Sequence, residues 1–291
     1  MRTARPAMST CSIVALAFLA GCGKADKPVG QAAAAASAPT PAAPRIVHVV
    51  GSDFAFEAPD TLPAGLTTFH LMNSGKELHQ VMLLRLAAGQ SMADLQKDLQ
   101  KMNPQAPPPP DLQVVGGPNP APPGGTAEAT VELTPGQYVL LCSIPSPDGK
   151  PHMMKGMMRA LTVTASDAPV KEPVPDVTVT LSEYKFAPSV PLTAGHHVIK
   201  VENAGTQWHE MVFIKLAPGK TIQDVARWGE KPEGPPPGTP VNGASPMAAR
   251  QVNFVEVDLT PGEYGFICFL PDTRNNKPHL VLGMIQQFTV K

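Results

Sequence analysis

The chain has 291 residues, of which 43% are hydrophobic and 16% are charged, and its formal net charge is −1. This balance excludes a largely disordered chain, and it leaves no excess of basic residues for binding nucleic acid. The length suits two ordinary domains and a tail.

The N-terminal 22 residues carry the pattern of an export signal. A basic start precedes an apolar run at 13–20 that is too short to span a bilayer. The segment resembles a bacterial lipoprotein signal peptide, because residues 19–22, LAGC, match the lipobox. The resemblance implies cleavage before Cys22, acylation of its thiol and anchoring in a membrane. We therefore expect an exported protein that is lipid-anchored to the bacterial cell envelope, with its domains in the periplasm or at the cell surface. An ordinary secretory signal with a chance Cys is the alternative.

Changes in composition divide the rest of the chain. Residues 23–44 are mostly Ala and Pro, which lack the variety to form a core and are typical of a tether. Strand-like patterns begin at residue 45, and a short Pro-containing segment interrupts them at 166–175. The predicted organisation is a signal peptide (1–22), a tether (23–44), a first domain (45–165), a linker (166–175) and a second domain (176–291).

The two predicted domains repeat one sequence pattern. Phe56, Asn73, His79 and Gly89 recur as the same residue types 130 positions later, and the Leu-Thr-Pro-Gly segment 133–136 recurs 126 positions later. Val- and Thr-rich runs alternate with Pro-Gly turns in both copies, so we predict an all-β protein with about seven strands in each half. One short helix is predicted in each half, at 92–102 and at 222–228.

Each half also holds one His, one Cys, a second His and one Met in the same order. In the first half these are His79, Cys142, His152 and Met157, and in the second half they are His209, Cys268, His279 and Met284. Two imidazoles, one thiolate and a weak axial thioether form the ligand set of a blue-copper electron-transfer site. We therefore predict one copper ion in each domain, bound by these residues.

The placement of the cysteines supports a metal site. Strand alternation places Tyr138, Leu140 and Cys142 on one face, which we take as the core side. Once the signal peptide is removed and Cys22 is acylated, only Cys142 and Cys268 remain. Their equivalent interior positions are not expected to come within the ~7 Å that a disulfide requires. Either Cys alone would be interpreted as an inert buried thiol, but the His and Met at matching positions in both halves favour metal binding.

The motifs N-x-G-x-x-x-H, P-G-x-Y, the Cys and H-x-x-x-x-M together resemble those of the cupredoxins, the family of plastocyanin, azurin and amicyanin. The resemblance implies two tandem Greek-key β-sandwich domains, each with a copper site at one end. It also implies redox partner proteins, such as cytochromes or a copper enzyme. The Cys and the second His are separated by nine residues in the first half and ten in the second. This spacing is longer than in the small blue-copper proteins and nearer to that of copper nitrite reductases.

Several functions are compatible with this resemblance. Multicopper oxidases and nitrite reductases add copper sites held by His-x-His pairs or by a His beside the Cys. The remaining histidines, His48, His70, His196 and His197, form no His-x-His pair, and neither Cys has a His neighbour, so we predict that the chain is not an enzyme. Electron transfer is the favoured function. The alternatives are a Cu(I) carrier or storage lipoprotein, which would use the additional methionines at 153, 154 and 158, and a metal-free tandem β-sandwich scaffold.

Overall fold

The computed structural model describes residues 41–101 and 113–291. The predicted signal peptide, the acylation site at Cys22 and all but the last few residues of the tether therefore lie outside the described residues. Among the helices that the structure describes, none is long and apolar enough to cross a membrane.

The described chain is mostly β-structure with two short helices, so the all-β prediction is confirmed. The first half contains β1 (Arg45–Ser52), β2 (Ala55–Glu57), β3 (Thr61–Pro63), β4 (Gly65–Asn73), β5 (Met82–Arg85), α1 (Met92–Lys101), β6 (Gln113–Gly116), β7 (Thr126–Leu133), β8 (Gly136–Leu141), a 3-10 turn (His152–Lys155) and β9 (Met158–Thr164). The second half contains β10 (Val177–Ser182), β11 (Lys185–Pro188), β12 (Gly195–Asn203), β13 (His209–Leu216), α2 (Ile222–Glu230), β14 (Gly238–Met247), β15 (Val252–Leu259), β16 (Gly262–Ile267) and β17 (Ile285–Val290). Strands such as β2 and β3, with three residues each, are too short to show alternation in the sequence.

Both helices were predicted, and each begins where a hydroxyl and an acidic side chain exchange hydrogen bonds. At the start of α2, the Thr221 side chain accepts from the Asp224 backbone N–H, and the Asp224 carboxylate accepts from the Thr221 N–H. Ser91 and Asp94 make the same pair of bonds before α1. These capping boxes satisfy backbone donors that the first helical turn leaves free.

The strands form two sheets, and each sheet runs through both halves of the chain. One has the order β11-β10-β12-β15-β7-β4-β1-β2, and the other has the order β17-β16-β13-β14-β6-β5-β8-β9-β3. The halves join where β15 pairs with β7 and where β14 meets β6. The described residues accordingly belong to one compact unit. The sequence predicted two side-by-side domains, but the edge pairing that joins them has no local sequence signal.

The hydrophobic core lies between the two sheets and continues under the helices. In the first half, Tyr138, Leu140 and Cys142 belong to one buried cluster, as the alternation predicted. Val139 and Leu141 on the opposite face of β8 are also buried, because α1 and its neighbours cover them. From Tyr138 to Leu141, β8 is therefore buried on both faces, and the residue that follows it, Cys142, is also fully buried.

The P-G-x-Y motif corresponds to a buried tyrosine that fixes the start of this strand. The Tyr138 hydroxyl accepts from the Thr134 backbone N–H at 3.2 Å and donates to the Thr134 carbonyl at 3.0 Å. Tyr264 makes the same bonds with Thr260 in the second half, at 3.2 and 2.9 Å. The hydroxyl is thereby satisfied while the ring fills the core, which is the physical reason for a Tyr at this position.

Buried asparagines link the two halves through the backbone. The Asn253 side chain accepts from the Gly117 N–H at 2.9 Å and donates to the Val115 carbonyl at 2.8 Å. Gly116 lies between these two contacts, and a side chain there would collide with the Asn253 amide. Because Asn253 is fully buried, both backbone groups depend on it for a hydrogen bond.

Replacing Asn253 should therefore weaken the junction between the halves. We expect Asn253→Ala to lower the free energy of unfolding by about 2–4 kcal/mol, because a buried N–H and a buried C=O lose their partner. Chemical denaturation followed by circular dichroism measures this change.

Gln251→Ala is the matched control. Among the described residues, the Gln251 side chain makes no hydrogen bond. We expect this control to change the free energy of unfolding by less than about 1 kcal/mol. Equal effects of the two substitutions would contradict the importance of the Asn253 bonds.

Candidate metal centres

Each half of the chain brings two histidines and a cysteine together in its interior. In the first half these are His79, Cys142 and His152, and in the second half His209, Cys268 and His279. Within each group, one potential ligand atom per residue lies within 4.8 Å of the others, and all of these residues are buried. Both cysteines are free thiols. The predicted ligands from distant parts of the sequence thus converge at two places.

The Asn-x-Gly turn positions the first histidine of each site. The Asn73 side chain donates to the Glu77 carbonyl at 2.7 Å and to the Ala121 carbonyl at 2.9 Å, and it accepts from the Gly75 N–H at 2.8 Å. His79 follows this turn and exchanges two backbone hydrogen bonds with Ala121. Asn203 makes the equivalent three contacts in the second half. The turn therefore fixes the approach of the His to the site.

Backbone hydrogen bonds fold the loop that carries the other ligands. The Met153 N–H donates to the Cys142 carbonyl at 2.8 Å, and the Met157 N–H donates to the His152 carbonyl at 3.0 Å. The Cys142 N–H in turn donates to the Met157 carbonyl at 3.3 Å. The second loop repeats these bonds with Leu280 to Cys268, Met284 to His279 and Cys268 to Met284, at 3.0, 2.9 and 3.2 Å. The Cys, His and Met of each loop are thus held next to one another by the main chain.

In the first site, two carboxylates determine which nitrogen of each imidazole carries the proton. The Nε2 atom of His79 lies 2.8 Å from Asp53 Oδ1, and Nε2 of His152 lies 2.9 Å from Glu77 Oε2. A carboxylate accepts, so each imidazole donates from Nε2 and presents an Nδ1 lone pair. The two Nδ1 atoms are 3.1 Å apart, and Nδ1 of His152 is 3.4 Å from the Cys142 Sγ. Two lone pairs facing each other repel, whereas a cation between them is bound by both.

Burial also shifts the pKa values of His79 and Cys142 in the direction that favours their uncharged forms. Burial lowers the pKa of His79, although its bond to Asp53 opposes that shift. Burial likewise raises the pKa of the Cys142 thiol to about 12. A metal ion must therefore displace the thiol proton, which a soft, strongly binding cation can do and a hard cation such as Mg²⁺ does poorly. The donor set fits copper.

The second site has the same inner geometry with different surroundings. The Nδ1 atoms of His209 and His279 are 3.1 Å apart, and Nδ1 of His279 is 3.5 Å from the Cys268 Sγ. Neither Nε2 atom has a hydrogen-bond partner among the described residues. Burial, and then the neighbouring His279, lower the pKa of His209 to about 4. Burial raises the pKa of Cys268 above its usual range.

The two predicted axial methionines are buried beside these clusters. Met157 and Met284 are each 0% exposed. A methyl group added at Gly51 would lie 3.4 Å from the Met157 terminal methyl and 3.6 Å from the His79 Cβ, so both side chains pack over the same glycine. Met157 belongs to the same core cluster as Cys142, and Met284 to that of Cys268.

Two further residues, Gln80 and Glu210, complete the sites, and the sequence analysis gave them no role. Gln80 donates to the Ser143 hydroxyl at 2.7 Å, and Glu210 accepts from the Phe269 N–H at 3.0 Å. Each of these bonds ties the residue after the first His to the residue after the Cys. Burial raises the pKa of Glu210 to about 7, although the Phe269 N–H and Asn119 oppose that shift. Gln80 and Glu210 each follow the first histidine of their site directly, and this equivalent placement in the sequence could have identified them.

The Asp53 and Glu77 carboxylates were also missed, since they are separated in sequence from the histidines that they contact. The other histidines of the described chain serve elsewhere. His70 pairs with Glu128, the exposed His196 with Asp258 and the buried His197 with Asp176. The His48 ring lies 5.5 Å from the ring of His70, and none of these four histidines belongs to either cluster.

Comparisons with known proteins give structural matches only. No family model matches the chain, and no curated protein sequence matches it. Auracyanin A, a blue copper protein from Chloroflexus aurantiacus, is 21% identical and covers 42% of this chain and 99% of its own, with a TM-score of 0.31. A blue copper oxidase from Nitrosomonas europaea is 14% identical over 85% of each chain, with a TM-score of 0.25. The copper nitrite reductase of the same organism is 13% identical over 86% of this chain and 94% of its own, with a TM-score of 0.24.

These matches correct one prediction. The chain was predicted not to be an enzyme because it lacks a His-x-His pair. Proteins named as an oxidase and a nitrite reductase nevertheless match both of its halves, whereas the auracyanin match covers 42% of the chain. The prediction that the chain is not an enzyme is therefore withdrawn. At identities of 13–21% these matches do not assign a metal or a reaction. Two His-Cys-His sites in two repeated halves fit tandem cupredoxin-like domains.

The glycine of each Asn-x-Gly turn provides a test of the site geometry. A Cβ at Gly205 would lie 2.7 Å from Nε2 of His209 and 3.0 Å from its Cδ2. We therefore expect Gly205→Ala to displace the imidazole and to weaken copper binding at this site at least tenfold, about 1.4 kcal/mol. A spectroscopic copper titration measures the affinity, and far-ultraviolet circular dichroism checks the fold.

Ala204→Ser, in the same turn, is the matched control, because Ala204 is exposed and the added hydroxyl meets solvent. It should bind copper like the unmodified protein. An unchanged affinity in Gly205→Ala would show that the glycine does not govern the position of His209.

Proposed function

We propose that this chain is a copper-binding electron-transfer protein with one type 1 copper site in each half. Each half would then be a cupredoxin-like Greek-key sandwich, and the two would be joined edge to edge through their sheets. The observation that carries the proposal is the arrangement of donors in the first site. Two imidazole lone pairs face each other 3.1 Å apart beside a buried thiol, with both outer nitrogens bonded to carboxylates.

The identity of the metal follows from the donors. Two imidazoles and a thiolate with a weak thioether suit copper in both of its oxidation states, and bound copper supplies a reversible one-electron couple. We assign the thioether role to Met157 and Met284, which are buried next to their cysteines. His79, Cys142 and His152, and likewise His209, Cys268 and His279, would form the inner ligand sets.

The rest of the chain would keep these ligands in place while the electron enters and leaves. The loop hydrogen bonds do not involve the ligand side chains, so they are available in both oxidation states. Aromatic rings shield the second histidine, with Phe54 at 4.8 Å from the His152 ring and Tyr184 at 5.4 Å from the His279 ring. A dry, rigid ligand set requires little rearrangement on electron transfer, which favours a fast reaction.

A Cu(I) carrier is the second function that the sequence raised. Met153, Met154 and Met158 pack against the outer hydrophobic cluster over β8, together with Trp208 of the second half. Their packing accounts for these methionines without a transport role. The buried positions of both ligand sets also favour retention of the metal over its release.

We propose further that the protein is exported and anchored through Cys22, and that it exchanges electrons with redox proteins such as cytochromes or a copper enzyme. The lipobox at residues 19–22 and the Ala- and Pro-rich segment after it support this location.

The anchoring proposal is tested by Cys22→Ser in bacterial cells. We expect the unmodified chain to fractionate with membranes and to carry lipid by mass spectrometry. The Cys22→Ser chain should lack the lipid and leave the membrane fraction. If the unmodified chain carries no lipid, its signal is an ordinary secretory one.

The metal proposal is tested by visible absorption after addition of Cu(II) to the purified protein. We expect a strong thiolate-to-copper band, and about half of it should be lost in Cys142→Ser and half in Cys268→Ser, because each thiolate serves one site. Reduction and reoxidation should remove and restore the band.

A band lost in one variant and unchanged in the other would leave one copper site and one structural half. No band in a folded protein would reject electron transfer through type 1 copper. Copper uptake only as Cu(I), with transfer to a chelator, would then favour a carrier, and no uptake would favour a metal-free scaffold.

A further inference from the structure

The two sites differ at three equivalent positions that surround their histidines. Residues Asp53, Phe54 and Glu77 of the first half correspond to Glu183, Tyr184 and Gln207 of the second, each 130 positions later. The inner ligands are the same in both halves, so these differences provide the clearest contrast between the sites.

At the first site, both imidazoles donate to a carboxylate. Nε2 of His79 lies 2.8 Å from Asp53, and Nε2 of His152 lies 2.9 Å from Glu77. The histidines are 0% exposed, whereas the two carboxylates are 24% and 28% exposed. Each carboxylate therefore reaches solvent on one side while it contacts a buried histidine on the other.

At the second site, the corresponding side chains are directed to other partners. Glu183, which is one methylene longer than Asp53, accepts from the Thr206 backbone N–H at 2.5 Å and from its hydroxyl at 2.8 Å. Gln207 carries no charge, and its amide donates to Asp272 at 2.8 Å. The Nε2 atoms of His209 and His279 are left without a partner among the described residues.

Asp272 is a competing charge near His279 of the second site, but its interactions offset part of that charge. Its carboxylate accepts from the Tyr184 hydroxyl at 2.5 Å and from the Arg274 and Asn275 backbone N–H groups at 3.1 and 2.9 Å. The Arg274 guanidinium also lies 3.6 Å from it. Asp272 makes no hydrogen bond to either imidazole among the described contacts, so its charge acts on His279 only through space.

A carboxylate that accepts from the outer nitrogen of a metal-binding imidazole makes that imidazole a better electron donor. A more basic ligand and a nearby negative charge stabilise Cu(II) more than Cu(I), because Cu(II) carries the larger charge. We propose that Asp53 and Glu77 give the first site a lower reduction potential than the second, so that an electron shared by the two sites resides on the second. This inference rests on the proposed copper-binding function and assigns an order to the two sites.

The experiment measures the potential of each site separately. Cys268→Ser leaves the first site to be observed through its thiolate-to-copper band, and Cys142→Ser leaves the second. In a redox titration we expect the first site to have at least a tenfold smaller Cu(I)/Cu(II) ratio at a given applied potential. For one electron this corresponds to a difference of about 59 mV or more.

The carboxylates are tested by isosteric substitution in the Cys268→Ser protein. Glu77→Gln and Asp53→Asn remove the charge but keep an oxygen that can accept from Nε2, so each should raise the Cu(I)/Cu(II) ratio of the first site several-fold. Glu183→Gln in the Cys142→Ser protein is the matched control, because it removes a carboxylate that bonds Thr206 instead of an imidazole. It should shift the second site less than Glu77→Gln shifts the first.

A second measurement uses the copper-free protein. Nitrogen-15 resonances of the imidazoles should show His79 and His152 with their protons on Nε2, held by the carboxylates. The Asp53→Asn and Glu77→Gln variants should show a weaker hydrogen bond at the corresponding histidine. This readout distinguishes a specific hydrogen bond from a general loss of fold.

Equal potentials, a lower potential at the second site, or shifts from Glu183→Gln as large as those from Glu77→Gln would overturn the inference. Each of these outcomes requires a visible copper band, so it leaves the proposed function intact. The absence of any band would reject the proposed function instead.

Discussion

The main-chain bonds that close the loop between each Cys and its Met are the constraint on which both sites depend. In the first half, the Cys142 carbonyl and N–H are both engaged within this loop, by Met153 and Met157. The loop in the second half is one residue longer, yet it makes the same closing bonds. The extra residue lies between two prolines that form a bridge, Pro145 with Pro151 in one half and Pro271 with Pro278 in the other. The ligand positions are therefore independent of the length of the turn.

Because the main chain positions three of the ligands, the side chains around them are free to differ. Gln80 and Glu210 perform the same structural task, since each ties the strand of the first histidine to the residue after the cysteine. One is neutral, and the other is a buried carboxyl group whose pKa burial raises to about 7. When two copies of a site keep the same inner residues, differences in the neighbouring side chains can give the copies different electronic properties.

The sequence allowed the two His-Cys-His clusters, the strand content and both helices to be predicted, because these depend on short spacings and on repetition. The order His, Cys, His, Met is visible at two places, and Thr221 with Asp224 shows the start of a helix within four residues. The joining of the sheets was not predictable in this way. Asn253 contacts a backbone segment 136 residues away, and no periodicity in the strand that contains it indicates that partner. The carboxylates on the histidines were missed for the same reason.

The junction also shows why the halves are better understood as one unit than as two copies in series. Asn119 of the first half donates to Glu210 at 3.2 Å, and Glu210 accepts from the Phe269 N–H beside Cys268. Trp208, which precedes the first histidine of the second site, packs against the outer cluster of the first half. The surroundings of the second site thus include residues of the first half, although its own ligands all come from the second. A change in the first half can therefore alter the second site through packing and hydrogen bonds, without any contact to its metal ligands.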